Sequence, residues 1–116
     1  MSVPVTAETI KSVYVLLLQF PPFSRWHLPS ADKLTFYVVP YKSEWSEYHP
    51  VKMTVRVSTE KVSTFLSLLQ AVAHECIHIR QDVSGRYPVK DAHNADFKRY
   101  VKQVCKHFPF LDPLNL

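Results

Sequence analysis

Residues 59–83 read TEKVSTFLSLLQAVAHECIHIRQDV and contain neither proline nor glycine. Apolar side chains recur through this stretch every three to four residues, which is the period of an amphipathic helix. These are Val62, Phe65, Leu66, Leu69, Val72, Ala73, Cys76 and Ile77. Ser58 or Thr59 is placed to cap the start of the helix, with Glu60 in its first turn, and Gly85 is placed to end it. The stretch therefore predicts a long helix with one strongly apolar face.

The predicted helix carries the pattern H-E-x-x-H from His74 to His78. Two imidazoles four residues apart project from one face of a helix, so both can reach one tetrahedral zinc ion at about 2.0–2.1 Å. The intervening Glu75 points about a quarter-turn away, where it takes a proton from an activated water instead of binding metal. The pattern predicts a zinc-dependent hydrolase, and two exposed histidines on an ordinary helix are the alternative.

The two histidines lie outside the apolar stripe when the helix is projected at 3.6 residues per turn. The stripe is centred on Leu69, Ala73, Cys76 and Ile77, whereas the histidines share a strip with Ser67, Gln70, Ala71 and Gln81. We therefore expect them to face a polar cleft instead of the packed core. A solvent-exposed strip would have the same composition, so the projection supports a site without establishing it.

A catalytic zinc ion usually takes three protein ligands, so a third is expected downstream. The candidates are Asp82, Asp91, His93, Asp96 and His107. His93 is favoured because it begins a second amphipathic segment, which a connection of about ten residues allows to fold back. The apolar residues of this segment are Phe97, Tyr100, Val101, Val104, Cys105 and Phe108. His107 is then expected at the helix C-terminus, and Asp91 or Asp96 could orient the His93 ring.

This part of the chain resembles the SprT-like zinc metallopeptidase domain. That family has H-E-x-x-H, a variable linker, and H-G-x-x-F at the start of the next helix. Here His93-Asn94-Ala95-Asp96-Phe97 follows after fourteen intervening residues, with Asn94 in place of the glycine. The resemblance covers residues 59–110. It implies that zinc is bound by His74, His78 and His93, and that Glu75 is the general base.

The resemblance also implies a fold and partners. The expected fold is a minimal zincin-like α+β domain spanning residues 1–116, with an N-terminal helix, a small mainly antiparallel sheet, the active-site helix and a C-terminal helix. Spartan-type members degrade proteins crosslinked to DNA, which implies a protein or peptide substrate and DNA or a DNA-bound protein as a partner. Many members add a zinc ribbon, but Cys76 and Cys105 form no C-x-x-C pair. Their absence from such a pair weakens the expectation of DNA recruitment.

The charge of the chain fits two interpretations. Its net charge is +4 and its pI is near 9.1. Lys98, Arg99, Lys102 and Lys106 share one face of the second predicted helix, with Lys90 nearby. Such a face could bind phosphates, although a solvated helix face is favoured at this modest charge. A nucleic-acid-binding module and a non-catalytic zinc-binding protein remain the alternatives to a peptidase.

Composition and length bound the class of protein. With 116 residues, 47% hydrophobic and 21% charged, the chain suits one small globular domain. The apolar run at residues 13–18 is too short to span a membrane, and the N-terminus does not resemble a signal peptide. Both cysteines are expected as buried thiols in a reducing compartment. We therefore expect a cytoplasmic protein without a membrane partner. Whether it associates with the nucleoid, and its oligomeric state, are left open.

The N-terminal half predicts one helix and a sheet. Thr6 can cap a helix that runs to about Gln19, before Pro21 and Pro22. Residues 33–39 and 51–57 alternate like strands, with a short strand between them at about residues 44–48. Either 51–57 or 44–48 is expected to be the exposed edge that pairs with a substrate.

Other residues are left with open roles. Trp26, Trp45 and Tyr48 either line a substrate cleft or plug the core. His27 and His49 are expected as ordinary surface or loop residues. The apolar tail at residues 107–116 is expected to pack back onto the domain. A hydrogen-bond donor should stabilise the oxyanion that forms during peptide hydrolysis. The sequence does not decide between three candidates for this donor, Arg80, Tyr87 and Tyr100.

Overall fold

The computed structural model describes residues 4–40, 44–85, 91–113 and 116. The elements are, in chain order, α1 (Ala7–Leu17), β1 (Thr35–Val39), β2 (Ser46–His49), β3 (Thr54–Ser58), α2 (Phe65–Val83) and α3 (Ala95–His107). Two short 3-10 turns, Phe23–Arg25 and Ala31–Lys33, join α1 to β1. This is the predicted α+β class. Within the described ranges, no helix combines the length and the apolar character needed to cross a membrane.

The sheet is mixed, whereas a mainly antiparallel sheet was expected. The strand order is β1-β3-β2, with β1 parallel to β3 and β2 antiparallel to β3. After β2 the chain turns back and inserts β3 between the two earlier strands. This gives β3 the same direction as β1. The sequence pattern of each strand shows its period but not its direction.

Strand β3 is shorter than its alternating pattern predicts. Val51 is 88% exposed and Met53 has a φ of 51°, so this part of the alternation is a turn. The strand begins only at Thr54, and β1 likewise begins two residues after Lys33. Because β3 is central, the prediction that residues 51–57 form the free edge is wrong. Strand β2, at about the second predicted position, lies at the edge.

Helix α2 begins later than predicted. Ser58 is still part of β3, and the Thr59 amide donates to the Val39 carbonyl at 2.9 Å, so neither residue caps the helix. Thr64 and Ser67 cap it instead, since the Ser67 amide donates to Thr64 Oγ1 and the Thr64 amide donates to Ser67 Oγ, both at 3.0 Å. The predicted C-terminal end is confirmed, because Gly85 follows with a φ of 75°.

Helix α2 lies at the centre of the molecule and packs against α1, β2 and α3. The predicted apolar stripe of this helix is buried, and it consists of Leu69, Ala73, Cys76 and Ile77.

Helix α1 begins after Thr6 as predicted, although it ends at Leu17. The connection that follows α1 contains Trp26, a core residue that packs on Phe23 and Tyr100.

The tail packs back onto the domain only in part. Leu111 and Leu116 are buried as expected, but Phe110 is 61% exposed. Cys76 is a buried thiol as predicted, whereas Cys105 is only partly buried. Phe110 lies outside the core because the chain turns at residues 109–111, where the Leu111 amide bonds to the Phe108 carbonyl at 3.0 Å.

Candidate metal centre

Three imidazoles converge at the junction of α2 and α3. The Nε2 atoms of His74 and His78 are 3.1 Å apart, and those of His74 and His93 are 3.3 Å apart. One ligand nitrogen from each ring lies within 4.8 Å of the other two, and the group can hold one metal ion. The two histidines of α2 are thus joined by the third residue that the sequence selected, and not by the alternative carboxylates.

Two of the three nitrogen–nitrogen distances fit a tetrahedral ion. Two ligands bound at about 2.0–2.1 Å to a tetrahedral centre are about 3.3–3.4 Å apart. The separations of His74 from His78 and from His93, 3.1 and 3.3 Å, lie close to this value, and the ligand nitrogens of His78 and His93 lie within 4.8 Å of each other. Three imidazole nitrogen donors suit a borderline metal such as zinc better than calcium or magnesium, which prefer oxygen.

The start of α3 holds His93 in place. Asn94 is the N-cap of α3, and its side-chain oxygen accepts the Phe97 amide at 3.1 Å. Asp91 Oδ1 accepts the His93 amide at 3.0 Å, so this carboxylate fixes the turn. The Phe97 ring packs 4.6 Å from the His93 ring and also contacts the other two imidazoles. Asn94, which departs from the glycine of the family pattern, therefore has a local role as a cap.

Gln81 fixes the tautomer of His78. The His78 Nδ1 atom lies 2.8 Å from Gln81 Oε1. The Gln81 Nε2 group donates to the Ala92 carbonyl at 3.0 Å, which orients the amide with its oxygen toward His78. An amide oxygen only accepts, so His78 carries its proton on Nδ1 and its Nε2 lone pair is free for a metal ion.

Both helix-borne imidazoles favour the neutral form. Burial lowers the pKa of His74 to about 3, with His78 and His93 acting in the same sense and a hydrogen bond to the Leu116 backbone acting against it. Burial also lowers the pKa of His78 to about 4, against the effect of its bond to Gln81. Near pH 7 both rings are therefore neutral, as metal ligation requires.

Glu75 lies beside the imidazoles and is only 1% exposed. Its Oε2 atom accepts a hydrogen bond from Ser46 Oγ and lies 4.0 Å from His74 Nε2. Its Oε1 atom is buried and has no hydrogen-bond partner among the described residues. Burial raises the pKa of Glu75 to about 8, while the bond from Ser46 opposes this. One carboxylate oxygen thus accepts a hydrogen bond, and the other is buried without a partner among the described residues.

The imidazoles and Glu75 lie in a cleft of about 1010 Å³. Strand β2 forms one wall and α3 forms the other, with α2 beneath them. Trp45, which is 44% exposed, and Tyr48 line the wall on the β2 side, as one of the two predictions for these aromatics stated. The Tyr48 hydroxyl donates to Asp82 Oδ2 at 2.6 Å, which ties the edge strand to α2. The cleft is large enough for a short peptide segment.

The polar strip of α2 is more buried than expected. Gln70, Ala71, His78 and Gln81 are each at most 6% exposed, because α3 and the tail cover this face. The two histidines nevertheless line the cleft, as predicted, although His78 is only 6% exposed. His74 is half-buried, and His93 remains exposed at the cleft.

Two of the proposed oxyanion donors do not line the cleft. Arg80 Nη1 donates to the Trp26 carbonyl at 2.8 Å, and the Tyr100 ring packs 5.1 Å from that of Trp26. Both side chains lie on the other side of the contact between α2 and α3. The third candidate, Tyr87, lies outside the described residues.

The basic face of α3 is divided by the structure. Lys98 and Lys102 line the cleft, whereas Arg99 pairs with Asp96 at 3.0 Å. Lys106 is exposed at the last turn beside His107, which ends α3 as predicted. Lys90 lies outside the described residues.

Two partners of the site, Gln81 and Ser46, were not predicted from the sequence. Gln81 lies three residues after His78, the spacing at which helical side chains meet, so it could have been found. Ser46 is twenty-nine residues from Glu75, and only the position of β2 brings them together. His27 and His49 are exposed and lie away from the site, as expected.

Comparison of the chain with protein-family models, with curated proteins and with solved structures finds no match. The resemblance to the SprT-like domain therefore rests on the residues of the sequence. What the chain does must be argued from the site.

Proposed function

We propose that the protein is a zinc-dependent metallopeptidase of the SprT-like type. One observation carries this proposal: three imidazole nitrogens within 4.8 Å of one another lie beside a buried carboxylate, one oxygen of which has no partner among the described residues, at the floor of a cleft. A structural zinc site usually has four protein ligands and needs no such carboxylate. Three nitrogen ligands in an accessible cleft are typical of a catalytic site.

His74, His78 and His93 would hold the zinc ion. When bound there, zinc supplies Lewis acidity, which lowers the pKa of a water molecule to about 7 and polarises a carbonyl. The hydrogen bond of His78 Nδ1 to Gln81 supports this role, because it leaves the Nε2 lone pair of His78 directed toward the other two rings. Burial keeps both α2 imidazoles neutral.

Glu75 would act as the general base. Ser46 donates to Oε2, which lies 4.0 Å from His74 Nε2, and Oε1 has no partner among the described residues. Burial raises the pKa of Glu75 to about 8, so the carboxyl group would hold an accepted proton until the departing amine takes it.

Strand β2 would hold the substrate backbone. The Ser58 amide donates to the Trp45 carbonyl at 2.8 Å, which sets the alternation of β2 against β3. By this alternation the backbone groups of Ser46 point away from β3. An extended peptide can add to this edge above the imidazoles.

The direct test compares cleavage of unfolded casein and of a DNA-bound protein by the zinc-loaded wild type and Glu75→Gln. We expect the wild type to cleave at least one substrate and Glu75→Gln to keep its zinc while losing about 10²–10⁴-fold in rate. Glu8→Gln is the matched control, because Glu8 is an exposed carboxylate on α1 that does not line the cleft. Equal rates for Glu75→Gln and the wild type would disprove the general-base assignment. A zinc-loaded wild type that cleaves neither substrate would indicate a non-catalytic zinc-binding protein.

A further inference from the structure

The wall of the cleft formed by α3 carries two lysines. Lys98 and Lys102 are exposed and line the cleft together with Phe97 and Val101. Neither ammonium group has a carboxylate partner within 4.0 Å in the described part of the chain. Two positive charges therefore line the cleft, and neither has a close counterion among the described residues.

The opposite wall has acidic residues whose charge is partly compensated. Glu44 and Glu47 both line the cleft from the β2 side. Arg56 binds the first at 2.9 Å and the second at 3.3 Å, so one guanidinium serves two carboxylates. The two walls therefore have opposite sign, with the positive wall on α3.

The spacing of the two lysines matches an extended chain. Residues four apart on a helix are separated by about 6 Å along its axis. Side chains two residues apart in a strand lie on one face and are separated by about 6.4–6.8 Å. An extended segment that follows α3 can thus present alternate side chains to Lys98 and Lys102.

We infer that the cleft selects extended peptide segments with acidic side chains at alternating positions, an acidic-x-acidic pattern read by Lys98 and Lys102. This inference names the substrate class of the proposed peptidase. It rests on that proposed function only in expecting that the bound segments are also cleaved. Glu44 and Glu47 on the facing wall disfavour acidic side chains that approach β2.

A peptide fits these charges better than a nucleic acid does. A single strand carries a phosphate at every nucleotide, so it would bring negative charge to the acidic wall as well as to the lysines. A peptide can place its carboxylates on one face only. The wall formed by β2 also offers a strand edge to a peptide backbone.

The test measures binding by zinc-loaded Glu75→Gln, because this variant is expected not to consume the ligand. Fluorescent ten-residue peptides would differ only at two positions, as Glu-x-Glu, Gln-x-Gln, Lys-x-Lys and Glu-x-x-Glu. We expect the Glu-x-Glu peptide to bind about tenfold tighter than Gln-x-Gln at low salt, with the preference shrinking at high salt. We also expect Glu-x-x-Glu to lose most of this gain.

A preference for acidic peptides could also arise from the net charge of the protein or from peptide carboxylates that bind the zinc ion. Two double variants distinguish these causes from the effect of Lys98 and Lys102. Adding Lys98→Glu and Lys102→Glu should reverse the order, so that Lys-x-Lys binds best. Adding Lys33→Glu and Lys106→Glu changes the net charge equally at exposed positions outside the cleft, and the preference for Glu-x-Glu should persist.

Three results would overturn the inference. These are equal binding of all four peptides, loss of the preference in both double variants alike, and tighter binding of a single-stranded oligonucleotide that depends on Lys98 and Lys102. Failure of the proposed peptidase function would look different. In that case the binding preference would remain while the zinc-loaded wild type leaves a Glu-x-Glu peptide intact.

Discussion

The two faces of α2 are buried to the same extent but by different means. On the apolar face, Cys76 and Ile77 are fully buried, and on the polar face Glu75 and Gln81 are 1% exposed. Burial of apolar side chains stabilises the fold directly, at about 25 cal/mol per Å² of surface. Burial of polar side chains costs free energy unless each finds a hydrogen-bond partner.

The partners on the polar face show what that face is for. Gln70 exchanges two hydrogen bonds with the Asp112 backbone, at 2.8 and 3.2 Å, and thereby holds the tail. Gln81 orients His78. Glu75 Oε1 lacks a partner among the described residues, while Oε2 of the same carboxylate lies 4.0 Å from His74 Nε2. The apolar face of α2 therefore stabilises the fold, whereas the polar face contributes less stability because its side chains form a site.

The largest expected effect lies on the apolar face. Ile77→Ala should lower the free energy of unfolding by about 2–5 kcal/mol, because it opens a cavity at a fully buried position. Urea denaturation of the metal-free protein measures this. Leu66→Ala is the control, since Leu66 is 52% exposed on the same helix and should change stability by about 0.5 kcal/mol or less. A similar loss in both variants would mean that the apolar face does not carry the core.

The next effect lies on the polar face. Gln81→Leu removes the acceptor for His78 Nδ1, so zinc affinity should fall by about 10–100-fold. Competition with a chromophoric chelator measures the affinity. Gln103→Leu is the matched control: this amide accepts from Trp26 Nε1 at 3.1 Å and has no contact with the imidazoles. Unchanged affinity in Gln81→Leu would show that the amide does not orient the ligand.

The smallest expected effect concerns the hydroxyl that holds Glu75. Ser46→Ala should lower kcat by roughly tenfold with KM nearly unchanged, since a hydrogen bond to a charged group contributes about 1.5–3 kcal/mol. Ser46→Thr keeps the hydroxyl and should restore most of the rate. Steady-state kinetics at matched zinc content decides this. If Ser46→Thr is as slow as Ser46→Ala, the hydroxyl does not position the base.

Local patterns predicted the helices and the three imidazoles. The period of residues 65–83 and the order of His74, His78 and His93 were sufficient, because these signals lie within one helix and the start of the next. The start of α2 was misplaced because Ser58, Thr59 and Thr64 can all act as caps. Only the continuation of β3 to Ser58 selects Thr64.

Non-local relations could not be predicted. The parallel direction of β1 and β3 depends on the insertion of β3 between earlier strands, which no strand pattern encodes. The same topology brings Ser46 to Glu75 and makes β2 the edge of the cleft. Met53 lies in a turn but is apolar, so it extends the alternating pattern of β3. The sequence therefore predicted a longer strand than the structure has.

The metal content of purified protein tests the central claim most directly. Of the three described histidines that could hold the ion, His93 lies outside α2 and is exposed, so His93→Ala should leave the fold intact. We predict one zinc ion per chain in the wild type and in the control His107→Ala, and well below one in His93→Ala after dialysis. Stoichiometric zinc in His93→Ala, or no zinc uptake by the wild type, would contradict the account.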